Sequence, residues 1–349
     1  MAETATANYH NLFLAQVERN QIRISRTLLL LLYVVHVCYP PFTPVTSKFI
    51  HLQYPVDETK YYDIGLEDVY YVINWVITLT FLRSYTMQYI LAPMAQKLGI
   101  RLKKARVRFA EQGWCFIYYL ASFVFGAIIY WHSPYFMNVD NIYRGWPHYH
   151  MTKYFKIYYL MLMGFWIQQI FVLHIEAPRK DHWQMLSHHI ITVALIVTLY
   201  YYYFTRIGNL VLMIMDLVDV FLAAAKLLKY AGHRVACDAM FIVFLVLWVT
   251  LRHGVYNYLF WHAKTKAVSL MTLAECVAGM GQKRCWNTRI VNMFLGMLGG
   301  LQLITLIWMF MIAKVAYKVV TGSGAEDVRS DEDDTDDEAV DAAVAKKDM

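Results

Sequence analysis

Four ionisable side chains sit where a membrane protein rarely places them. His188 and His189 open one apolar stretch, Asp216 and Asp219 lie halfway along the next, and only the turn around Thr205 to Gly208 separates the two stretches. An ionisable group near the middle of a spanning helix costs about 2.5 to 3.5 kcal/mol to insert, so a cluster of four requires a reason. Imidazoles and carboxylates at this spacing suit acyl transfer. Histidine takes the proton of an attacking amine, or is itself acylated, while aspartate fixes its tautomer and supports the imidazolium. A thioester needs little activation, so neither a metal nor a cofactor is required. The plain alternative is that the groups pair with one another to hold the bundle together. A lone intramembrane histidine fits that alternative, whereas the combined His-His and Asp-x-x-Asp set favours a site.

The short link forces an antiparallel helical hairpin. Three residues turn a helix to within about 60° of the same direction, so Asp216 and Asp219 project from one face, and the stripe continues through Ala223 to Lys226. The histidines diverge by about 100°, so both border one cavity only if it is broad or the helix is distorted. Counted at about 1.5 Å per residue from the turn, the Asp219 to Ala223 region comes closer to the histidine level than Asp216 does.

The positioning elements follow from composition. The chain has 349 residues, 58% of them apolar and 16% aromatic, more apolar surface than a soluble domain could bury. The expected class is all-α, a polytopic membrane bundle of about eight spans, near 24–42, 67–92, 113–132, 154–175, 186–204, 207–228, 236–261 and 290–317. Pro40 and Pro41 end the first early. Four regions result: a cytosolic N-terminal segment (1–23), two spans with a basic cytosolic loop (24–105), a catalytic domain of about six spans (106–320) and a disordered acidic tail (321–349).

The net charge of +6 conceals two unlike parts, because residues 326–341 hold ten carboxylates against Arg329, a local −9, and the rest carries +15. Those cations lie beside the spans. They fit cytosolic loops with both termini cytosolic, rather than a nucleic-acid surface. The loops expected outside hold Asp63, Glu67 and Asp68, the stretch 133–151, and 262–289; the tyrosines 200–203 read as an interfacial belt. The N-terminus offers no cleavable signal peptide, and the first span would serve as the membrane signal. The five cysteines show no zinc spacing, though Cys276 and Cys285 could pair if their loop is lumenal. In the tail, Ser330 and Thr335 precede acidic runs of the kind acidophilic kinases read. Lys346 and Lys347 match a dilysine retrieval signal for the endoplasmic reticulum.

Around the four residues the sequence resembles the ceramide synthases of the TLC superfamily, and most resembles their fungal branch. The likeness runs through Arg179-Lys180-Asp181, His188-His189-Ile190, Met215-Asp216-Leu217-Val218-Asp219 and Ala224-Ala225-Lys226. Upstream it includes the Arg108 to Gln112 segment and Phe165-Trp166-Ile167-Gln168-Gln169. No homeobox-like insert follows the second span. The resemblance implies acyl transfer from fatty acyl-CoA to the amine of a dihydrosphingosine-type or phytosphingosine-type base. His188, His189, Asp216 and Asp219 are then the essential residues, and one histidine, His188 by preference, can carry the acyl group. Arg179, Lys180, Arg106, Arg108 and Lys226 could hold the acyl-CoA at the cavity mouth, although the positive-inside pattern alone accounts for several of them. The resemblance further places part of the chain-length control in the loop before the last span, and allows a homodimer and a small single-pass accessory subunit.

Two other classes stay open. A zinc-dependent membrane amidohydrolase of the ceramidase kind would also use His and Asp. A non-enzymatic TLC-type lipid-binding or translocon-associated protein would have no need of the quartet. A transporter would show repeated halves or broken helices, and the sequence shows neither.

Overall fold

The structure, a computed structural model, describes residues 2–56, 60–175, 181–271, 275–276 and 284–320. Arg179, Lys180, Ser330 and Thr335 lie outside the described residues. Helices occupy every expected position: α1 (Ala2–Cys38), α2 (Thr43–Ile50), α3 (Asp68–Thr86), α4 (Ala92–Lys97), α5 (Lys103–Trp131) and α6 (Lys153–Ile175). They continue with α7 (His182–Tyr201), α8 (Thr205–Tyr230), α9 (Arg234–Leu247), α10 (Tyr256–Leu270) and α11 (Thr288–Val320). Two π-helical stretches, Met87–Leu91 and Trp248–Val255, join α3 to α4 and α9 to α10 without a break. Among the described residues six helical segments are long and apolar enough to cross a membrane: 20–38, α5, α6, α7, the continuous 234–270 and 288–317.

Local chemistry sets the ends. Pro40 and Pro41 lack the N–H that would continue α1, and the chain turns through a short 3-10 segment, Pro40–Phe42. Helix α1 thus stops earlier than the expected span, and α2 follows it. Gly99 and Gly232, at φ 79° and 78°, close α4 and α8 with left-handed caps. In both, two backbone bonds recover carbonyls of the last turn, such as Ile100 N to Ala95 O at 3.1 Å. The cap of α7 has the same bonds but places Tyr203 at φ 60°, a strained conformation for a side chain with a Cβ.

That strain is held by the loops beside it. Tyr203 is buried and its hydroxyl donates to Asp63 Oδ1 at 2.5 Å, while Tyr200 donates to Asp68 Oδ2 at 2.8 Å. Lys156, wholly enclosed at the start of α6, pairs with Asp68 at 2.8 Å and donates to the carbonyls of Gln53 and Asp63. Tyr200 and Tyr203 are therefore core hydrogen-bonding residues and not an interfacial belt; the carboxylates before and at the start of α3 draw them inward. A two-residue ribbon, Tyr61–Tyr62 with Met151–Thr152, fastens the same region.

Further ties gather the described parts of the connections, 51–56 with 60–67, 132–152, 202–204 and 284–287, at one end of the bundle. Trp146 donates to Tyr202 O, Arg206 to Asn141 O, Arg284 to Tyr201 O, and His262 pairs with Asp140 at 2.8 Å. Helix α10 runs to Leu270, so the last of these loops is shorter than expected. Cys276 and Cys285 are joined by a disulfide, nine residues apart.

Helix α8 packs most extensively on α5 and next on α9, while α7 packs on α6 and α11. Beyond their shared turn α7 and α8 touch only sparingly. The expected hairpin is thus opened by stronger neighbours on either side. The packing order α5, α6, α7, α11, the 234–270 helix, α8 and back to α5 closes a ring. Close approach of α3 to α6 depends on Gly164, where a Cβ would stand 2.7 Å from that of Trp75. Leu30, Leu31, Val37, Val246, Leu303 and Phe310 face outward, as a lipid-facing surface requires.

Candidate active site

His188 and His189 lie two turns into α7. The His188 ring meets Trp166 of α6 edge-on at 5.3 Å, Trp308 of α11 at 5.1 Å, and His189 at 5.6 Å. His189 meets Trp166 at 5.5 Å. Trp166 therefore brings together two rings that helical geometry alone would spread by about 100°. The Nδ1 atoms of both histidines and the Nε1 atoms of both tryptophans are buried without a hydrogen-bond partner in the structure. Buried polar atoms are ordinarily paired, and four unpaired ring nitrogens in one aromatic cluster mark a place able to receive a polar ligand group.

The two aspartates face different neighbours. Asp216 is 1% exposed and accepts a 2.6 Å hydrogen bond from Ser122 of α5. Asp219, with 21% of its side chain accessible, pairs at 2.7 Å with Arg252 in the π-helical stretch. The shared helical face thus divides between two partner helices. No carboxylate bonds either histidine at Nδ1, so the expected Asp control of the tautomer is not seen there.

Arg252 and Ser122 were missed in the sequence. Arg252 is a charged residue inside the expected span 236–261, and the cost that singles out the aspartates applies equally to it. Its π-helical setting also leaves a trace. Phe244, Trp248, Arg252 and Tyr256 are all buried at steps of four residues. On a regular helix each such step drifts by about 40°, so three in succession stay on one face only if the helix is locally underwound.

The basic candidates sit at the other end from the tight turn. Arg106 and Arg108 are half-buried in the first turns of α5, with Arg108 bonded to Glu111 at 3.0 Å, and Lys226 is half-buried in the last turns of α8. Among the described residues no three His, Cys, Asp or Glu side chains are grouped to hold a metal ion.

The TLC-domain family (TRAM, LAG1, CLN8) matches residues 108–314, which covers α5 to α11 and all four central residues. A sphingosine N-acyltransferase-like protein, ALT7 of Alternaria alternata, is 38% identical over 93% of this chain and 78% of its own. The sphingosine N-acyltransferase lag1 of Schizosaccharomyces pombe is 39% identical over 88% of this chain and 80% of its own. The ceramide synthase LAG1 of Saccharomyces cerevisiae is 32% identical over 82% and 69% respectively. The chain belongs to the TLC-domain family of helical membrane proteins. Within that family it falls among the sphingosine N-acyltransferases, the ceramide synthases.

Proposed function

We propose that this protein transfers a fatty acyl group from acyl-CoA to the amine of a sphingoid base, dihydrosphingosine or phytosphingosine, at the His188, His189, Asp216 and Asp219 site. The observation that carries this reading is the pair of imidazoles whose buried Nδ1 atoms have no hydrogen-bond partner, with His188 set between Trp166 and Trp308 in a ring of helices. A neutral imidazole there takes the proton released as the amine nitrogen bonds to the acyl carbon. The carbon–sulfur bond breaks, and the proton passes to the departing thiolate, giving ceramide and free coenzyme A. In the two-step variant His188 attacks first and the thiolate leaves with the proton of the imidazole, after which the amine bonds to the acyl carbon and displaces the His188 imidazole, which takes up the amine proton. No resident cofactor enters either route.

Acyl-CoA fits entry from the end where Arg106, Arg108 and Lys226 sit, with Arg179 and Lys180 as further candidates for its phosphates. The disulfide at the opposite end suits an oxidising lumen, and with the basic loops it supports cytosolic termini in the endoplasmic reticulum. A homodimer, a small accessory subunit and phosphorylation at Ser330 or Thr335 belong to the same reading.

The test is an assay of membranes carrying the protein with acyl-CoA and a sphingoid base, beside His188→Ala and Asp219→Ala. Ceramide formation by the wild type and its loss in both variants is expected. Activity that survives both changes removes the mechanism. Activity lost to chelators and restored by zinc favours the amidohydrolase reading.

A further inference from the structure

A guanidinium buried along a spanning helix is expensive, and a buried ion pair adds little net stability because desolvation offsets attraction. Arg252, 4% exposed, is nevertheless held on three sides. Its Nη2 donates to Asp219 Oδ1 at 2.7 Å and to Met215 O at 3.2 Å, and its guanidinium carbon lies over the Trp248 ring, 4.3 Å from the ring centre. Trp248 in turn donates to His253, and the Gln302 amide of α11 bonds the other nitrogen of that ring at 2.9 Å. The Asp219 carboxylate is thus fixed from outside its own helix, by a chain of contacts that reaches α11. Along the two helices from the tight turn, Asp219 and His188 stand at nearly equal counts, about 20 Å from it. Asp216 is closed in by Ser122, whereas Asp219 keeps accessible surface.

We propose, resting on the ceramide synthase reading, that Arg252 is a positioning residue: it holds Asp219 where that carboxylate receives the ammonium group of the sphingoid base. The ammonium first gives one proton to an imidazole, which releases it to water; as the resulting amine nitrogen bonds to the acyl carbon and the acyl carbon loses its bond to sulfur, the same imidazole takes the second proton and passes it to the thiolate, and in the two-step route the bond lost is the one to the His188 nitrogen, which keeps that proton. Arg252 touches no reacting atom and acts only through Asp219.

The test compares full-length wild type, Arg252→Gln, Arg252→Lys, Asp219→Asn and the Asp219→Asn/Arg252→Gln double variant in membranes. Sphingoid base is varied at saturating acyl-CoA, and acyl-CoA at saturating base. Arg252→Gln is expected to lower kcat/KM for the base by about 10²-fold while KM for acyl-CoA stays within about twofold. The double variant should be no worse than Asp219→Asn alone. Arg252→Lys should fall between, since an ammonium cannot reproduce a planar fork stacked on an indole. Equal losses for both substrates, or fully multiplicative losses in the double variant, overturn the proposal. If Arg252→Gln does not accumulate, the lysine variant decides, and a wild-type KM for the base overturns the proposal. An inactive wild type sinks the functional reading and this inference with it; an active wild type with an unaffected Arg252→Gln sinks the inference alone.

Discussion

Ser122 and Asp216 join α5 to α8 through a 2.6 Å hydrogen bond between the two helices that pack most extensively on each other. The carboxylate is buried, so this bond is a condition of its being there. Ser122→Ala should cost about 1 to 3 kcal/mol of stability by leaving a buried acceptor without its donor, and should lower acyl transfer with it. Asp216→Asn keeps the shape and allows the hydroxyl to turn, so stability should stay within about 1 kcal/mol while activity falls. Thermal unfolding in detergent and turnover in membranes separate the two effects. Full activity in a stable Asp216→Asn protein would remove Asp216 from the site.

The enclosed Lys156–Asp68 pair should behave as a clamp. Removing one partner leaves an uncompensated charge, and Lys156→Met is expected to destabilise by about 3 to 5 kcal/mol. Asp68→Asn combined with Lys156→Met should recover much of that loss, because two neutral groups replace two charges. A double variant no more stable than the single one contradicts this account.

His148, in the loop between α5 and α6, is pushed down to about 4 by burial, with Arg206 adding to the effect. Its unfolded value is about 6.5, so between these limits the unfolded chain binds the extra proton and acid destabilises the fold. Stability from this residue is full above pH 6.5 and is lost as pH falls toward 4. At pH 5 the loss is about 2 kcal/mol. Unfolding temperatures at pH 7.5 and 5, compared for wild type and His148→Asn, should show a smaller acid shift in the variant.

The Cys276–Cys285 bridge closes a loop of about ten residues, for which chain entropy gives about 2 to 3 kcal/mol. Reduction, or Cys276→Ser with Cys285→Ser, should loosen the loop ahead of α11 and shift the acyl chain-length profile without abolishing activity. Mass-spectrometric ceramide profiles check the second outcome, and an unchanged profile separates this loop from chain-length choice.

The helices were legible because apolar length and proline are local signals, and so were the His-His and Asp-x-x-Asp residues, whose chemistry conflicts with a lipid setting. The partners were not. Ser122 is 94 residues from Asp216 and Arg252 is 33 from Asp219, and nothing in the spacing of either pair encodes the contact. Tyr200 and Tyr203 misled for the same reason, since a tyrosine run looks alike at an interface and in a core until the distant Asp63 and Asp68 are seen. The opening of the α7–α8 hairpin depends on the relative strength of four other helix contacts, a property of the whole ring.

The π-helical stretch from Trp248 to Val255 makes the 234–270 helix sensitive to its winding in a way ordinary spans are not. Regular winding of the same residues would turn Tyr256 about 80° away from the face that Trp248 occupies. Either Trp248 or Tyr256 would then turn toward lipid. Grafting a uniform helix of equal length from another protein into this position should therefore be far more damaging than a conservative replacement of any one side chain, because it would sever the link between α8 and α11.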